Sequence, residues 1–261
     1  MKKPAAFTTT IALGLLSLAS IAAEAAEVRV LSAVGMREVL LDLGPKFERA
    51  SGHTLAIKFD AGGVIVSRVQ AGESVDVVMV PRAGLERLRQ AGKIVAGSST
   101  DLASSVAGVA VRQGAAKPDI SSPEAFKRAL LAARSVARPD PALGGSSGVH
   151  IAKVLERLGI ASEIQAKSVI ASRPDQQRDM PGAMVADGRA ELALHQVQEL
   201  MAVPGIEIVG PFPGDLQETF VFSGGVVTGA REVEAASSLI VFLRTPEAIA
   251  VIKAKGMAPA P

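Results

Sequence analysis

Short apolar runs of Val, Ile and Leu alternate with longer amphipathic segments along the chain. This alternation is typical of parallel strands joined by crossover helices. It predicts three strand–helix units near the start of the chain, with strands at Val28–Leu31, Thr54–Phe59 and Asp76–Val80 and helices at Glu38–Ala50, Ile65–Ala71 and Ala83–Ala91. A glycine stands near the end of each helix, where a left-handed residue commonly terminates helical structure.

An extended segment at Val106–Arg112 interrupts this pattern, after which strand–helix units resume. The expected elements are helices at Pro123–Ala132, Ser147–Leu158 and Met180–Asp187 and strand-like segments at Ser135–Ala137, Ala166–Ile170 and Glu191–Leu194. A second extended passage, at Ile206–Val209 and Thr219–Val227, precedes a final helical pair at Glu232–Leu243 and Pro246–Lys255.

Two long extended segments around a middle block predict an α/β protein of two lobes joined by two hinge strands. The first lobe is expected to contain residues 26–105 and 210–261, and the second residues 106–209. The chain would therefore leave the first lobe, build the second and return.

The first residues have the three-part layout of a secretory signal. Lys2 and Lys3 precede an apolar stretch at Ile11–Ala22, and small residues flank a cleavage point after Ala25. A membrane anchor is the alternative, but it needs about 18 to 20 apolar residues, and this stretch is shorter. The sequence therefore predicts a signal peptide at residues 1–25 and a periplasmic protein.

Charge and composition narrow the range of partners. The formal net charge is +2, and cleavage after Ala25 would remove two lysines and one glutamate, which leaves a nearly neutral chain. Neither a nucleic acid nor a membrane surface is expected as a partner. The chain has no Cys, Trp or Tyr, so a thiol nucleophile is excluded and aromatic stacking on sugars or bases is poorly supported.

Several local strings resemble the periplasmic molybdate-binding group of the type 2 solute-binding proteins. They are Val30–Ala33, Phe59–Gly63, Gln70–Val77, Gly145–His150 and Thr245–Ala248. The resemblance covers essentially the whole chain after the signal segment. It implies the two-lobed type 2 periplasmic-binding-protein fold, with two hinge strands and a ligand in the cleft between the lobes.

The positions that hold the oxyanion in that group are altered here. The resemblance implies two serine hydroxyl donors, but Gly35 stands at the first position and Gly62 or Gly63 at the second. Gln196 stands where the group has a tyrosine. Because a tetrahedral dianion depends on individual charge-assisted hydrogen bonds, we expect a different and larger anion, most simply an organic carboxylate.

Glycines and serines at predicted helix starts favour an anion. Gly35, Gly62, Gly63 and Gly148 each lie close to the start of a predicted helix, where free N–H groups and the helix dipole attract negative charge. Ser146 and Ser147 would add hydroxyl donors at the same ends. The alternative is that the glycines only shape tight turns.

Two arginines are candidates to bind the carboxylate. Arg37 falls in the first turn of a predicted helix, where a cation opposes the helix dipole and an anion nearby would compensate. Arg178 aligns with a loop that contacts ligand in the resembling group. A guanidinium matches a carboxylate with two parallel hydrogen bonds, although both arginines also fit an ordinary solvated surface.

The histidines have no metal-binding spacing, and neither a metal nor another cofactor is predicted. His195 follows a buried run at the C-terminal end of a strand, the edge where open α/β sheets place ligands. His150 lies in the first turn of the helix after the Gly-Ser-Ser-Gly loop. Either imidazole could exchange a proton with a bound acid or serve as a packed structural residue.

These features favour a monomeric receptor that captures a small anion and delivers it to a membrane permease. One branch that resembles the same proteins is catalytic, namely aconitate isomerase, which moves a proton across an allylic system without a cofactor. In that alternative His195 or His150 would be the catalytic proton carrier. The same candidate residues serve both functions, so the sequence leaves the choice open.

Overall fold

The computed structural model describes residues 25–173 and 176–260. The strands are β1 (Glu27–Ala33), β2 (Thr54–Asp60), β3 (Val77–Pro81), β4 (Thr100–Arg112), β5 (Val136–Pro139), β6 (Ser168–Ala171), β7 (Leu192–Gln196), β8 (Ile206–Pro211), β9 (Thr219–Val226) and β10 (Ala258–Pro259). The helices are α1 (Arg37–Ser51), α2 (Gly62–Gln70), α3 (Arg82–Gln90), α4 (Pro123–Ala132), α5 (Ser146–Arg157), α6 (Ala161–Ala166), α7 (Pro181–Ala186), α8 (Val197–Met201), α9 (Val233–Phe242) and α10 (Pro246–Ala254). Short 3₁₀ turns lie at Val34–Met36, Pro141–Leu143, Gln177–Asp179 and Gly214–Leu216.

The strands follow the order β2-β1-β3-β9-β4-β7-β5-β6, with β8 and β10 also paired to β4. β1 is parallel to β2 and β3, and β5 is parallel to β6 and β7. β9 runs antiparallel to both β3 and β4. The predicted α/β class is confirmed, since parallel strand–helix units make up both ends of this order.

β4 passes from one half of the sheet to the other. Its first part, Thr100–Val106, pairs with β9, whereas its second part pairs with β7 and β8 from Ala107 and Gly108 onwards. This strand contains the extended segment that the sequence predicts as a hinge. The residue limits of the two lobes stay a prediction.

β1 and β3 are buried on both faces, as parallel strands are when helices cover each side. On one side of the sheet, Val30 and Met79 pack with Leu43 and Phe47 of α1. On the other side, Val78 and Val80 pack in a second cluster with the apolar residues of α2 and α3. The helices are thereby fixed against the strands whose ends they follow.

The main differences from the predicted elements are short helices. α6 and α8 have six and five residues, too short for a helical period to stand out in the sequence. The predicted strand at Ala166–Ile170 is wrong by two residues, because Ala166 ends α6 and the strand begins at Ser168. β4 begins six residues before the predicted Val106.

The predicted signal segment at residues 1–25 falls outside the described residues, apart from Ala25. Within the described ranges no single helix is long and apolar enough to cross a membrane. α9 and α10 reach that length and apolarity only together, and a bend of 63° separates them.

Candidate ligand-binding cleft

A cleft that is partly open to solvent lies between the two halves of the sheet. The C-terminal ends of β1, β5 and β7 meet there, together with the starts of α2 and α5. Its lining is Ala33, Val34, Gly35, Ala61, Gly62, Pro81, Pro139, Asp140, Leu143, Gly145, Ser146, Ser147, Ala171, Met180, His195, Gln196, Glu199 and Phe222.

Two helices point their N-termini at this cleft from opposite sides. α2 begins at Gly62 and α5 at Ser146, and no described side chain caps either start. The residues before them, Ala61 and Gly145, have no side-chain acceptor to offer. The first N–H groups of both helices are therefore available to an anion in the cleft.

Two of the lining glycines are required by close packing. A β-carbon at Gly35 would overlap the ring of Phe222, and one at Gly62 would lie 2.6 Å from Cδ of Pro81. Neither position tolerates a larger side chain without a shift of its neighbour. The alternative that these glycines only shape tight turns is therefore incomplete, since both allow a neighbouring side chain to approach closely at the cleft wall.

The structure brings six of the predicted site residues together around the cleft, namely Gly35, Gly62, Ser146, Ser147, His195 and Gln196. The other five lie elsewhere: Gly63, Gly148, His150, Arg37 and Arg178. The predicted site residues thus divide by position within each loop, since neighbouring residues point to different sides.

Gly63 and Gly148 make backbone contacts outside the cleft. A β-carbon at Gly63 would lie 2.5 Å from the Leu143 carbonyl oxygen and 2.7 Å from Cα of Gly144. Gly63 therefore sits where α2 meets the turn after β5. A β-carbon at Gly148 would lie 3.0 Å from the Asp140 carbonyl oxygen, so this glycine lets α5 pack on the same turn.

The two arginines expected to bind carboxylate do not line the cleft. Arg37 lines an adjoining cavity and stacks over the ring of Phe59, with 4.7 Å between its guanidinium carbon and the ring centroid. Arg178 is exposed on a 3₁₀ turn, and its carbonyl oxygen accepts a hydrogen bond from Arg189. The anion-attracting groups at the cleft itself are helix starts and hydroxyls.

His150 is buried away from the cleft, and both ring nitrogens have partners. Nε2 lies 2.9 Å from the Leu216 carbonyl oxygen, and Nδ1 lies 2.7 Å from a carboxylate oxygen of Glu218. The ring also packs edge-on against Phe220. The imidazole expected as a possible proton carrier therefore does not line the cleft.

His195 lies on the cleft wall beside a carboxyl group. The backbone N–H of Gln196 donates to Nδ1 of His195 over 2.8 Å, so Nδ1 is the acceptor and the ring proton resides on Nε2. Nδ1 is also 3.3 Å from Oε1 of Glu199. Burial lowers the pKa of His195 to about 3, which keeps this imidazole neutral.

Glu199 is the buried acid of the cleft, with only 9% of its side chain exposed. Its Oε1 accepts a hydrogen bond from the side-chain amide of Gln196 over 3.1 Å. Its Oε2 is buried and has no partner among the described residues. Burial raises the pKa of Glu199 to about 8, and the charge of Arg37 opposes this rise only in part.

Gln198 ties the acid to the opposite side of the cleft. Its side-chain amide donates to the Gly35 carbonyl oxygen and to Oε1 of Gln196, each over 3.2 Å. Its own oxygen accepts from the hydroxyl of Ser105 on β4. A continuous set of hydrogen bonds therefore runs from Glu199 through two glutamines to the loop after β1.

The sequence reasoning missed Glu199 and Gln198. Both belong to α8, which begins immediately after β7 at the ligand-facing end of the sheet. The available signal was spacing: Gln196 and Glu199 are three residues apart and so share one face of a helical turn. A glutamate in a short polar segment resembles a solvated residue until the fold buries it.

Together, the sheet order, the shared strand β4 and a cleft at the strand ends define a two-lobed type 2 solute-binding protein. The profile of the bacterial extracellular solute-binding protein family matches residues 28–258. The chain belongs to that family.

Two relatives match over nearly their whole length. An aconitate isomerase of a Pseudomonas species is 37% identical over 263 residues, which is 97% of this chain and 97% of that protein. The molybdate-binding protein ModA of Azotobacter vinelandii is 31% identical over 260 residues, which is 94% of this chain and 95% of that protein.

Solved structures show the same two-lobed fold. The periplasmic molybdate-binding protein of Azotobacter vinelandii superposes with a TM-score of 0.72 at 21% identity, over 90% of this chain and 99% of that one. The sulfate-binding protein SubI of Mycobacterium tuberculosis superposes with a TM-score of 0.71 at 18% identity, over 90% and 87%. The predicted type 2 fold and its likeness to the molybdate-binding group are confirmed.

Proposed function

We propose that this solute-binding protein captures a small organic carboxylate in the cleft and delivers it to a membrane transporter. In this proposal the signal segment at residues 1–25 directs a monomer to the periplasm. The lobe of residues 26–105 and 210–261 closes on the lobe of residues 106–209 by hinge motion.

One observation carries the choice of ligand: the uncapped starts of α2 and α5 open into a cleft whose remaining wall is largely apolar. The helix starts favour negative charge. The apolar wall, which includes Pro81, Met180 and Phe222, favours a carbon skeleton between the charged groups. An inorganic oxyanion has oxygen on every side and would leave part of its hydrogen-bonding capacity unmet against such a wall.

A calorimetric titration tests this proposal, and it suits a chain without Trp or Tyr. Propane-1,2,3-tricarboxylate, malate, molybdate and sulfate are titrated in turn into the purified protein at pH 7.5. We expect a carboxylate to bind at least tenfold more tightly than molybdate or sulfate. Binding of molybdate alone would contradict the carboxylate proposal.

A second function, allylic isomerisation of aconitate, is favoured by the His195–Glu199 pair. An isomerase needs a group that gives and takes a proton near neutral pH. The pKa of Glu199, raised to about 8 by burial, suits that task. The aconitate isomerase relative, at 37% identity, lends further support.

The chemistry of this second function is a 1,3 proton shift. A proton leaves the methylene carbon of cis-aconitate, the electron pair spreads over the allylic carbons, and a proton returns to the far carbon as the double bond moves. No oxidant or reductant is consumed. Glu199 would accept and return the proton, and His195, neutral and protonated at Nε2, would donate a hydrogen bond to a substrate carboxylate.

Incubation with cis-aconitate separates the two functions. The purified protein at high concentration is mixed with cis-aconitate, and the trans isomer is followed by chromatography. Conversion that is lost in Glu199→Gln and kept in Glu38→Gln would support the isomerase. A cleft that binds aconitate tightly and returns it unchanged would leave the receptor function.

A further inference from the structure

We infer that Glu199 enters the site as a neutral carboxylic acid whose Oε2 hydroxyl donates a hydrogen bond to one carboxylate of the bound anion. This inference rests on the proposed function, because it assumes a carboxylate in the cleft. Binding of the anion is then linked to the protonation of this one side chain.

The geometry around Glu199 leaves one atom for the ligand. Oε1 already accepts from the amide of Gln196 and lies 3.3 Å from Nδ1 of His195, which itself accepts from the backbone N–H of Gln196. Oε2 is buried without a partner among the described residues. A buried polar atom of this kind costs about 1–3 kcal/mol unless something satisfies it. Glu199 lines the cleft and also the adjoining cavity that contains Arg37. Oε2 itself is covered in this structure, so in this proposal it meets the ligand when the lobes close.

The chemistry of an anionic ligand decides the protonation state. A carboxylate ligand offers only acceptors, so an ionised Glu199 would face it with a second set of acceptors and a like charge. Only the O–H form gives Oε2 a hydrogen bond to donate. Burial also favours this form, since it raises the pKa of the group to about 8.

Among the charged and titratable groups around it, Glu199 is the one whose protonation we expect to change when the ligand binds. His195 on β7 faces it from one side, and burial lowers its pKa to about 3, so this ring remains neutral across the range tested. Arg37 and Glu38 on α1 line the adjoining cavity, and Asp140 lines the main cleft. Asp140 accepts from the backbone N–H of Ala142, which engages one of its carboxylate oxygens.

The inference predicts that affinity for a carboxylate falls as the pH rises through the pKa of Glu199. Above that pKa the free protein must take up a proton before it binds, which weakens binding by up to tenfold for each pH unit. Between pH 7.5 and 9.5 the dissociation constant should therefore rise by about 20-fold. At pH 8.5, binding should be accompanied by net uptake of most of one proton.

The experiment titrates the wild-type protein with propane-1,2,3-tricarboxylate, which cannot isomerise, at several pH values from 7.5 to 9.5. Repeating the pH 8.5 titration in buffers of different ionisation enthalpy measures the proton uptake. The Glu199→Gln variant retains the shape and an N–H donor but does not titrate. It should bind within a few-fold of wild type at pH 7.5 and keep that affinity at pH 9.5.

Glu38→Gln is the matched control. It makes the same Glu→Gln change at a carboxyl group that lines the adjoining cavity. It should retain the wild-type pH profile. A wild-type affinity that does not change between pH 7.5 and 9.5 would overturn the role of Glu199 while leaving carboxylate capture intact. Absence of binding by any carboxylate at pH 7.5 would overturn both, so the two failures are distinguishable. The wild-type profile decides the matter even if a variant fails to fold.

Discussion

Asp76 illustrates how a single buried carboxylate fixes one half of this molecule. It accepts hydrogen bonds from the backbone N–H and guanidinium of Arg29 on β1 and from the backbone N–H of Arg231. Burial alone would raise the pKa of Asp76, but these hydrogen bonds outweigh burial and lower it from 3.8 to about 2. The residue therefore joins the first strand, β3 and the loop before α9.

We expect Asp76→Asn to lower the free energy of unfolding by about 2–4 kcal/mol, because it leaves the Arg29 guanidinium without its carboxylate. Since the folded-state pKa lies below the unfolded one, the stabilisation is complete above about pH 4 and is lost as the pH falls towards 2. Urea unfolding at pH 7 and pH 3 measures both effects. Asp215→Asn is the control, because the exposed pair of Asp215 with Arg157 should contribute little.

Gly35 and Gly44 differ in the space that surrounds them. Gly35→Ala should destabilise the fold by about 1–3 kcal/mol and weaken ligand binding, because the new methyl group meets the Phe222 ring. Gly44→Ala in α1 should be neutral or stabilising by up to about 1 kcal/mol, since its β-carbon would lie 3.6 Å from the nearest side-chain atom. Thermal unfolding of both variants checks the contrast, and equal effects would contradict it.

Apolar residues were easier to place from the sequence than charged ones. The buried run at Val77–Val80 was predicted because a short continuous run of apolar residues indicates a buried strand. Arg178 and Glu199 were misjudged in opposite directions, one expected at the ligand and exposed, the other unnoticed and buried. For a charged side chain, burial depends on which distant elements pack over it, and nothing in the local sequence carries that information.

Among the elements, helix starts divide into two kinds. α4 begins after Ser122, whose hydroxyl accepts from the Ala125 N–H over 3.1 Å, and α10 begins after Thr245 in the same way. α2 and α5 begin without such a cap and face the cleft. The capped helices satisfy part of their own first turn, whereas α2 and α5 leave theirs for a ligand.

This division predicts different consequences for two serine substitutions. Ser122→Ala removes a cap and should cost about 1 kcal/mol of stability with no change in ligand affinity. Ser147→Ala removes a hydroxyl at the cleft and should weaken carboxylate binding, with a smaller change in stability. Chemical denaturation and calorimetric titration of both variants check the pair, and the reverse assignment of effects would contradict it.

Helices and strands were predicted correctly where they are long enough for the spacing of their apolar residues to be recognised. The strand–helix units near the start of the chain were predicted closely, because each has an apolar strand of at least five residues and a helix of at least nine. α8 was not predicted, and two residues that matter at the cleft, Gln198 and Glu199, lie within it. A five-residue helix adds almost no periodicity to the sequence, so tertiary packing is what defines it.

At the scale of the whole molecule, two backbone segments meet beside the cleft. Gly63 at the start of α2 meets Leu143 and Gly144 in the turn after β5, and Gly144 has a φ of +66°. The two segments belong to opposite halves of the sheet order. Their approach is possible because neither glycine carries a side chain.

We expect Gly63→Ala to hold the two halves apart, since its methyl group would lie 2.5 Å from the Leu143 carbonyl oxygen. Ligand affinity should fall at least tenfold, while unfolding of the ligand-free protein changes little. Small-angle scattering with and without ligand should show less compaction than in wild type. Gln70→Ala, at the exposed end of the same helix, should compact normally, and equal compaction in both variants would contradict this role for Gly63.

The passage of β4 through both halves has a consequence for partial cleavage. The exposed stretch around residues 113–119 follows this strand directly. A protease that cuts there would separate the chain into two pieces, because β1–β4 would lie in the first and β5–β10 in the second. The first piece would lack β9, which pairs with both β3 and β4, and the second would lack β4, which pairs with β7 and β8. Neither piece would be an intact lobe, so the nicked protein should stay associated and come apart only when the whole molecule unfolds.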